Sequence, residues 1–386
     1  MSDLKSQVVN YTKHLGFDLV RIADASPLED AGTRLAKQLE AGFHSPLTKH
    51  SPKERTTPTL LLPGAKSVIM VGMAYSVELD HAPDRIPGDQ TPRGLLSRYA
   101  WGQDYHRIMG PRLRELAAYL NVLAPDTTSR VMVDSGPLAE KAMAYRAGLG
   151  VYGWNSCIIT RKWGSWVFLG AIVTDLALEH DSFHGGTCQE CGRCIKACPT
   201  GAIVAPYVID ASRCLSQITQ TRGIMPTEFR QALGTRLFGC DTCQAVCPHN
   251  EPNTIIYGNH GEFRPHPFIG PTPPLEMVVT MDNPTFKSTF AQTAAGWRGR
   301  KVLQRNAVIN LGNTGQPTAI PLLVKALRDP TEPVQTAAIW ALGEIGMANN
   351  ENVKRETQKI LLDAKTRITS GSLHQEILFS LDRINN

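Results

Sequence analysis

Cys188-Gln189-Glu190-Cys191-Gly192-Arg193-Cys194-Ile195-Lys196-Ala197-Cys198-Pro199 is the stretch on which the reading turns. Its spacing, C-x2-C-x2-C-x3-C-P, is that of bacterial loops in which three cysteines wrap one [4Fe-4S] cluster and the fourth reaches a second. A partner set follows: Cys240-x2-Cys243-x3-Cys247-Pro248 repeats the ending, and Cys214 supplies the remaining ligand. The spacing predicts Cys188, Cys191, Cys194 and Cys247 on one cluster and Cys198, Cys214, Cys240 and Cys243 on the other. Soft thiolates suit iron–sulfur clusters, and short spacing lets one loop reach several corners. A zinc reading needs paired CxxC units and leaves this run unexplained.

Outward from this segment, the ninth cysteine, Cys157, stands alone and reads first as a small apolar residue. The length of 386 residues predicts two or three domains. Hydrophobic residues at 42% and charged residues at 19% exclude a disordered chain and a coiled coil. A formal charge of +5 restricts any nucleic-acid contact to a local basic cluster. The start lacks a secretory apolar stretch or twin-arginine pair, and Gly and polar residues break the apolar runs 67–77 and 163–178. A cytoplasmic chain without a membrane span is therefore expected, and clustered cysteines there point to metal rather than disulfides. No GxGxxG follows a strand and no P-loop is present, so the electrons carried by two clusters go to something other than a familiar nucleotide site.

Residues 1–178 alternate helical and strand patterns: an amphipathic opening with Val8, Val9, Tyr11 and Leu15, then apolar runs at 17–23, 67–73 and 167–173. This predicts an α/β or α+β domain. Residues 179–260 form the cysteine-rich ferredoxin-like segment, and 261–290 a proline-rich connector. The stretch from His81 to Gly94, rich in Pro, Gly and charge, reads as an exposed loop. Over 291–386 the sequence repeats: Val308-Ile309-Asn310-Leu311-Gly312 aligns with Ile339-Trp340-Ala341-Leu342-Gly343 at an offset of 31 residues. Helix pairs with this punctuation are HEAT-like, and Ile377 to Ile384 reads as a terminal cap.

Further motifs occur in order: Arg98-Tyr99-Ala100-Trp101-Gly102-Gln103-Asp104-Tyr105-His106, Met132-Val133-Asp134-Ser135-Gly136-Pro137, Arg146-Ala147-Gly148-Leu149-Gly150, Arg213-Cys214-Leu215-Ser216-Gln217, and Gly296-Trp297-Arg298-Gly299-Arg300-Lys301. Together with the cysteine block they resemble the epoxyqueuosine reductases, cobalamin- and iron–sulfur-dependent enzymes of tRNA queuosine maturation. One departure is visible: Gly153-Trp154-Asn155 stands where the family pattern has Gly-Lys-Asn.

The resemblance implies an α/β (α+β) cobalamin-binding catalytic domain, a ferredoxin-like 2[4Fe-4S] domain and C-terminal α-helical HEAT-like repeats. The implied reaction removes the epoxide oxygen of epoxyqueuosine as water, with two electrons and two protons. An external single-electron donor such as flavodoxin or ferredoxin is its expected source. Asp134 is the implied proton donor, its pKa raised if the carboxyl is buried above an apolar corrin face. Tyr105 and His106 are implied near the substrate. Cobalamin contacts are expected from Ser97, Asp134, Asn155, Ser156, Cys157, Ile158, Leu169, Gln217 and Asp241. Contacts to the epoxyqueuosine-containing anticodon region of tRNA are expected from Arg222, Trp297, Arg298, Arg300, Lys301 and Arg305, which combine a stacking ring with cations. A small-molecule reductive dehalogenase would share corrin and clusters but commonly carries a twin-arginine signal. A non-catalytic electron carrier leaves the long first domain unused.

Overall fold

Val68, Ile69, Met70 and Val71 are all fully buried, as a continuous apolar run must be when its strand is covered on both faces. That strand, β2 (Ser67–Ala74), lies inside a four-stranded sheet with β1 (Leu19–Asp24), β3 (Ser129–Met132) and β4 (Val167–Thr174) in the order β1-β2-β4-β3. Every pairing is antiparallel, so the architecture is α+β. Met109, Leu113, Leu116 and Leu120 are buried at helical spacing on the Tyr105–Leu123 helix. Met109 and Leu113 come so close to β4 that a Cβ on Gly170 would lie 3.0 Å from Leu113. Met143, Ala144 and Ala147, at the helix Glu140–Arg146, join a second core layer with Val68, Met70 and Val173.

The computed structural model describes residues 3–79, 91–182, 186 and 188–385. They form two compact units. Unit 1 comprises Met1–Glu78, Gln103–Cys214 and Asp241–Arg264; unit 2 comprises Leu79–Gly102, Leu215–Cys240 and Pro265–Asn386. Of the expected exposed loop, residues 81–90 lie outside the described residues. Its last residue, Gly94, is buried, because a Cβ there would meet Leu275 at 2.9 Å and Leu237 at 3.0 Å.

Unit 2 carries the repeat. Helix Arg300–Thr314 packs on Glu332–Ala348, which packs in turn on Glu351–Arg367 and Gly371–Asn385. The Leu-Gly punctuation has a steric cause: a Cβ on Gly312 would lie 2.7 Å from that of Ala341, and one on Gly343 would lie 3.1 Å from that of Ser380. Only glycine lets these helices approach so closely. Among the described residues no helix is long and apolar enough to cross a membrane.

Candidate active site

In unit 1, Cys188, Cys191, Cys194 and Cys247 line one hollow, partly open to solvent, with about 330 Å³ of empty space. Two left-handed residues, Glu190 at φ +53° and Gly192 at φ +70°, bend the loop so that its cysteines face inward. The short helix Arg193–Ala197 then packs against the helix Thr242–Ala245, which brings the Cys247 end of the second motif alongside. Asn250 fastens that end: its Nδ2 donates to the Gln244 carbonyl and to Ser165 Oγ, both at 2.8 Å. Trp154, the departure from the family pattern, lines the same hollow with its indole. Among the described residues no three His, Cys, Asp or Glu side chains converge on a single-ion site; these four thiols instead surround a space, as the corners of a polynuclear cluster require.

Of the second set, Cys198, Cys214 and Cys243 belong to unit 1, and Cys240 ends a stretch of unit 2 immediately before Asp241. The main-chain N–H of Ala202 donates to Cys198 Sγ at 3.2 Å. Burial pushes the Cys198 thiol up, but N–H groups of Ile203, Thr200 and Ala202 outweigh it and hold the thiol below its usual range. Main-chain donors aimed at sulfur are what a thiolate ligand needs, so these residues fit a cluster. Cys157, apart in sequence, is within hydrogen-bond reach of Cys243.

At the end of the edge strand β3 the chain turns sharply. Asp134 sits at φ +52°, and a Cβ on Gly136 would lie 2.8 Å from the Met132 side chain. The turn projects the Asp134 carboxyl outward, its side chain 66% exposed. Tyr105 Oη donates to Asp134 Oδ2 at 2.9 Å, and His106 Nε2 lies 3.9 Å from the same oxygen. Asp104 caps the helix that carries both, accepting the His106 N–H, and its Oδ1 also meets His106 Nδ1 at 2.9 Å. Burial opposes a charged imidazole, but the Asp104 hydrogen bond and the charges of Asp104 and Asp134 outweigh it, so His106 titrates above its ordinary range. Tyr105 is held by stacking on Phe168, with centroids 4.3 Å apart. The result is a cluster of ionisable groups: Asp104 bonded to His106, Tyr105 bonded to Asp134, and His106 3.9 Å from Asp134. The turn leaves the Asp134 side chain exposed beside one donor, Tyr105. Asp104 was not singled out from sequence, although an Asp before a helix is a readable cap signal.

The corrin contacts expected in unit 1 share a polar and an apolar character. Asn155, Ser156, Cys157 and Ile158 form a turn entering a strand, with Ser156 at φ +57° and Asn155 Nδ2 donating to the Cys243 carbonyl at 3.3 Å. Leu169 on β4 is half-buried, and Asp241 precedes the helix Thr242–Ala245. Half-buried Leu169 and the polar turn residues are of the kinds that a flat macrocycle rimmed with amides would need. Ser97 and Gln217 belong to unit 2, where the Ser97 N–H donates to the Phe238 carbonyl at 2.8 Å.

The basic run 297–305 divides. Trp297 is 51% exposed, its Nε1 donating to Gln220 Oε1 at 2.8 Å. The Arg298 guanidinium lies 4.5 Å from that ring's centroid, while its Nε donates to the Gln220 carbonyl at 2.7 Å. Exposed Arg222 is close enough that, after burial, its charge lowers the pKa of Arg298. Arg300 is engaged with the Met281 carbonyl and Lys301 with Asp329. Arg305 corrects the expectation of a surface cation: it is 1% exposed. Its Nη1 donates to the carbonyls of Thr221 and Gly223 at 2.6 and 2.7 Å. Its place on the inner face of Arg300–Thr314 puts it out of reach of a phosphate.

The family profile for epoxyqueuosine reductase QueG matches residues 55–135, that for a 4Fe-4S double cluster binding domain residues 187–250, and that for HEAT repeats residues 298–364. The epoxyqueuosine reductase of Bacillus cereus is 40% identical over 344 residues, spanning 89% of each chain. That of Bacillus subtilis is 37% identical over 89% of this chain and 88% of its own. A crystal structure of epoxyqueuosine reductase with a tRNA-Tyr epoxyqueuosine-modified tRNA stem loop superposes with a TM-score of 0.92 at 34% identity, covering 99% of both chains. A Bacillus subtilis epoxyqueuosine reductase structure, with its catalytic aspartate loop swung out of the active site, superposes with a TM-score of 0.91 at 33% identity over 98% of both. With this identity sustained along nearly its whole length, the chain belongs to the epoxyqueuosine reductase family.

Proposed function

We infer that the chain reduces epoxyqueuosine in tRNA to queuosine, and that Asp134 delivers the proton to the opening ring. The observation that carries this reading is the cluster of Asp104, His106 and Tyr105 around Asp134 on an outward turn of the unit that bears most of the cluster cysteines. In balance, the epoxide takes two electrons and two protons and leaves as alkene and water. Single electrons arrive from an external donor such as flavodoxin or ferredoxin. One cluster is held by Cys188, Cys191, Cys194 and Cys247 and the other by Cys198, Cys214, Cys240 and Cys243. Cobalamin would be held by Asn155–Ile158, Leu169 and Asp241 with Ser97 and Gln217, and would supply reducing chemistry there.

The protein's own task is the proton. Tyr105 orients the Asp134 carboxyl, and His106, kept protonated by Asp104, replaces the proton that Asp134 gives up. The exposed turn lets the carboxyl meet a base projected from tRNA. The relative whose catalytic aspartate loop is swung out supports reading the 133–136 turn as having an in and an out position. Arg222, Trp297 and Arg298 contact the nucleic acid, the indole and guanidinium by stacking and the cations through phosphate.

Asp134→Asn tests the assignment. With reduced cofactor and epoxyqueuosine-containing tRNA, its single-turnover rate is expected to fall about a hundredfold to ten-thousandfold. Cobalamin content, iron content and tRNA affinity should stay at parental values. Parental turnover in this variant would assign proton delivery to another group.

A further inference from the structure

His249 has no part in the chemistry above, yet it lines the hollow of Cys188, Cys191, Cys194 and Cys247. Its Nε2 is enclosed away from water and finds no hydrogen-bond partner among the described residues. A buried polar atom in that state calls for a partner from elsewhere. The main chain that carries the ring is pinned in the short turn Pro248–Asn250. The Asn250 N–H donates to the Cys247 carbonyl at 2.9 Å, and Asn250 Oδ1 accepts the Ser165 N–H at 2.8 Å. On the other side, a Cβ on Gly164 would come within 2.5 Å of the His249 carbonyl. The ring is thus attached at a fixed place beside the thiols. Two other donors at the hollow are committed elsewhere: Asn155 Nδ2 to the Cys243 carbonyl at 3.3 Å, and Arg193 to Glu251 at 3.1 Å.

On the reading of these four thiols as ligands of one cluster, we propose that His249 donates its Nε2–H to a sulfur of that cluster and thereby sets its reduction potential. The cluster takes one electron from the external donor with no bond made or broken, so reduction only adds negative charge. Sulfur accepts a hydrogen bond more strongly as that charge grows, and a donor aimed at it raises the potential. The role requires the imidazole proton on Nε2. Trp154 and Ile159 supply apolar surface to the same hollow, and a hydrogen bond beside such surface is electrostatically stronger than one in water. The His249 main-chain N–H is within hydrogen-bond reach of the Cys247 sulfur. One residue therefore serves a ligand from its main chain and the cluster from its ring.

The test is a potentiometric titration of protein loaded with both clusters and cobalamin, followed by electron paramagnetic resonance of the reduced clusters. His249→Phe keeps a ring but has no donor. One of the two cluster waves should move to lower potential while the other stays, its reduction constant falling about tenfold, or about 59 mV for one electron. His249→Gln keeps an N–H donor and should lie closer to the parent. Unmoved waves in a fully loaded His249→Phe, equal movement of both waves, or the same shift in both variants overturns the proposal. If His249→Phe does not load, parent protein carrying isotope-labelled histidine decides alone. Its reduced clusters should show magnetic coupling to a histidine nitrogen, and absence of that coupling overturns the proposal as well. Iron short of two clusters in the reconstituted parent would remove the cluster reading itself, and this proposal with it. Failure of the His249 variants in fully loaded protein would leave that reading standing.

Discussion

Each unit has a polar turn held by an ionisable side chain, half-buried in one and fully buried in the other, and the two anchors differ in kind. In unit 1, Glu140 accepts the main-chain N–H of Asp134. In unit 2, Arg305 donates to the carbonyls of Thr221 and Gly223 on either side of Arg222. A carboxyl pushed up to about 8 can lose its proton near neutrality. A guanidinium that burial brings down to about 10 stays charged there. One turn is thus fastened by a group that titrates and presents a carboxyl. The other is fastened permanently and presents a cation. A cation that meets phosphate, as proposed for Arg222, gains from being preorganised.

Arg305→Met should break the permanent anchor with the largest loss of stability. It leaves the Thr221 and Gly223 carbonyls without their donor, at a cost of about 3 kcal/mol or more. Urea unfolding at mildly acid and mildly alkaline pH should show the same loss, and a strongly pH-dependent loss would erase the contrast. Reversing charge at Arg222 and Arg298 should leave folding and the Asp134 turn unchanged but weaken tRNA binding. If both meet phosphates of a single-stranded loop, the salt slope should shrink by about 1.4. An unchanged slope would make the pair a solvated face. The smallest effect is expected of Tyr105→Phe, which removes one hydrogen bond to the Asp134 side chain and none to its main chain. Turnover should drop roughly fivefold, for about 1 kcal/mol, with amide exchange at the turn unaltered. Altered exchange would mean that the side chain, too, holds the turn.

The parts of this molecule legible in sequence are those whose geometry is local. The run Val68–Val71 announces a strand covered on both faces, and the Cys188–Cys198 spacing announces a cluster loop, because neighbours along the chain do the work in each. The repeated Leu-Gly at 311–312 and 342–343 marks helices that approach closely. Arg305 was misjudged because its fate depends on carbonyls more than 80 residues away. Glu140 was missed for a different reason: an acid in the first turn of a helix is ordinarily read as complementing the helix dipole. Nothing in its immediate sequence says that the main chain of Asp134 will lie against it. Asp104 was readable as a cap but not as the partner of an imidazole. Trp154 was visible as a departure, and only the fold puts it at the cluster hollow.

The first unit is stitched from three separated stretches, the last of which ends at Arg264, and this has a consequence for synthesis. A ribosome delivers the chain in order, so the thiols of Cys188 to Cys198 emerge well before Asp241–Arg264, which carries Cys243 and Cys247. At roughly 5 to 20 residues per second, the interval from Cys188 to Arg264 is about 4 to 15 s. For that time the nascent chain holds an incomplete set of soft ligands, open to stray metal and oxidant. Assembly of a complete ligand set thus waits for the third stretch of unit 1, and the late arrival of that short segment sets when it can begin.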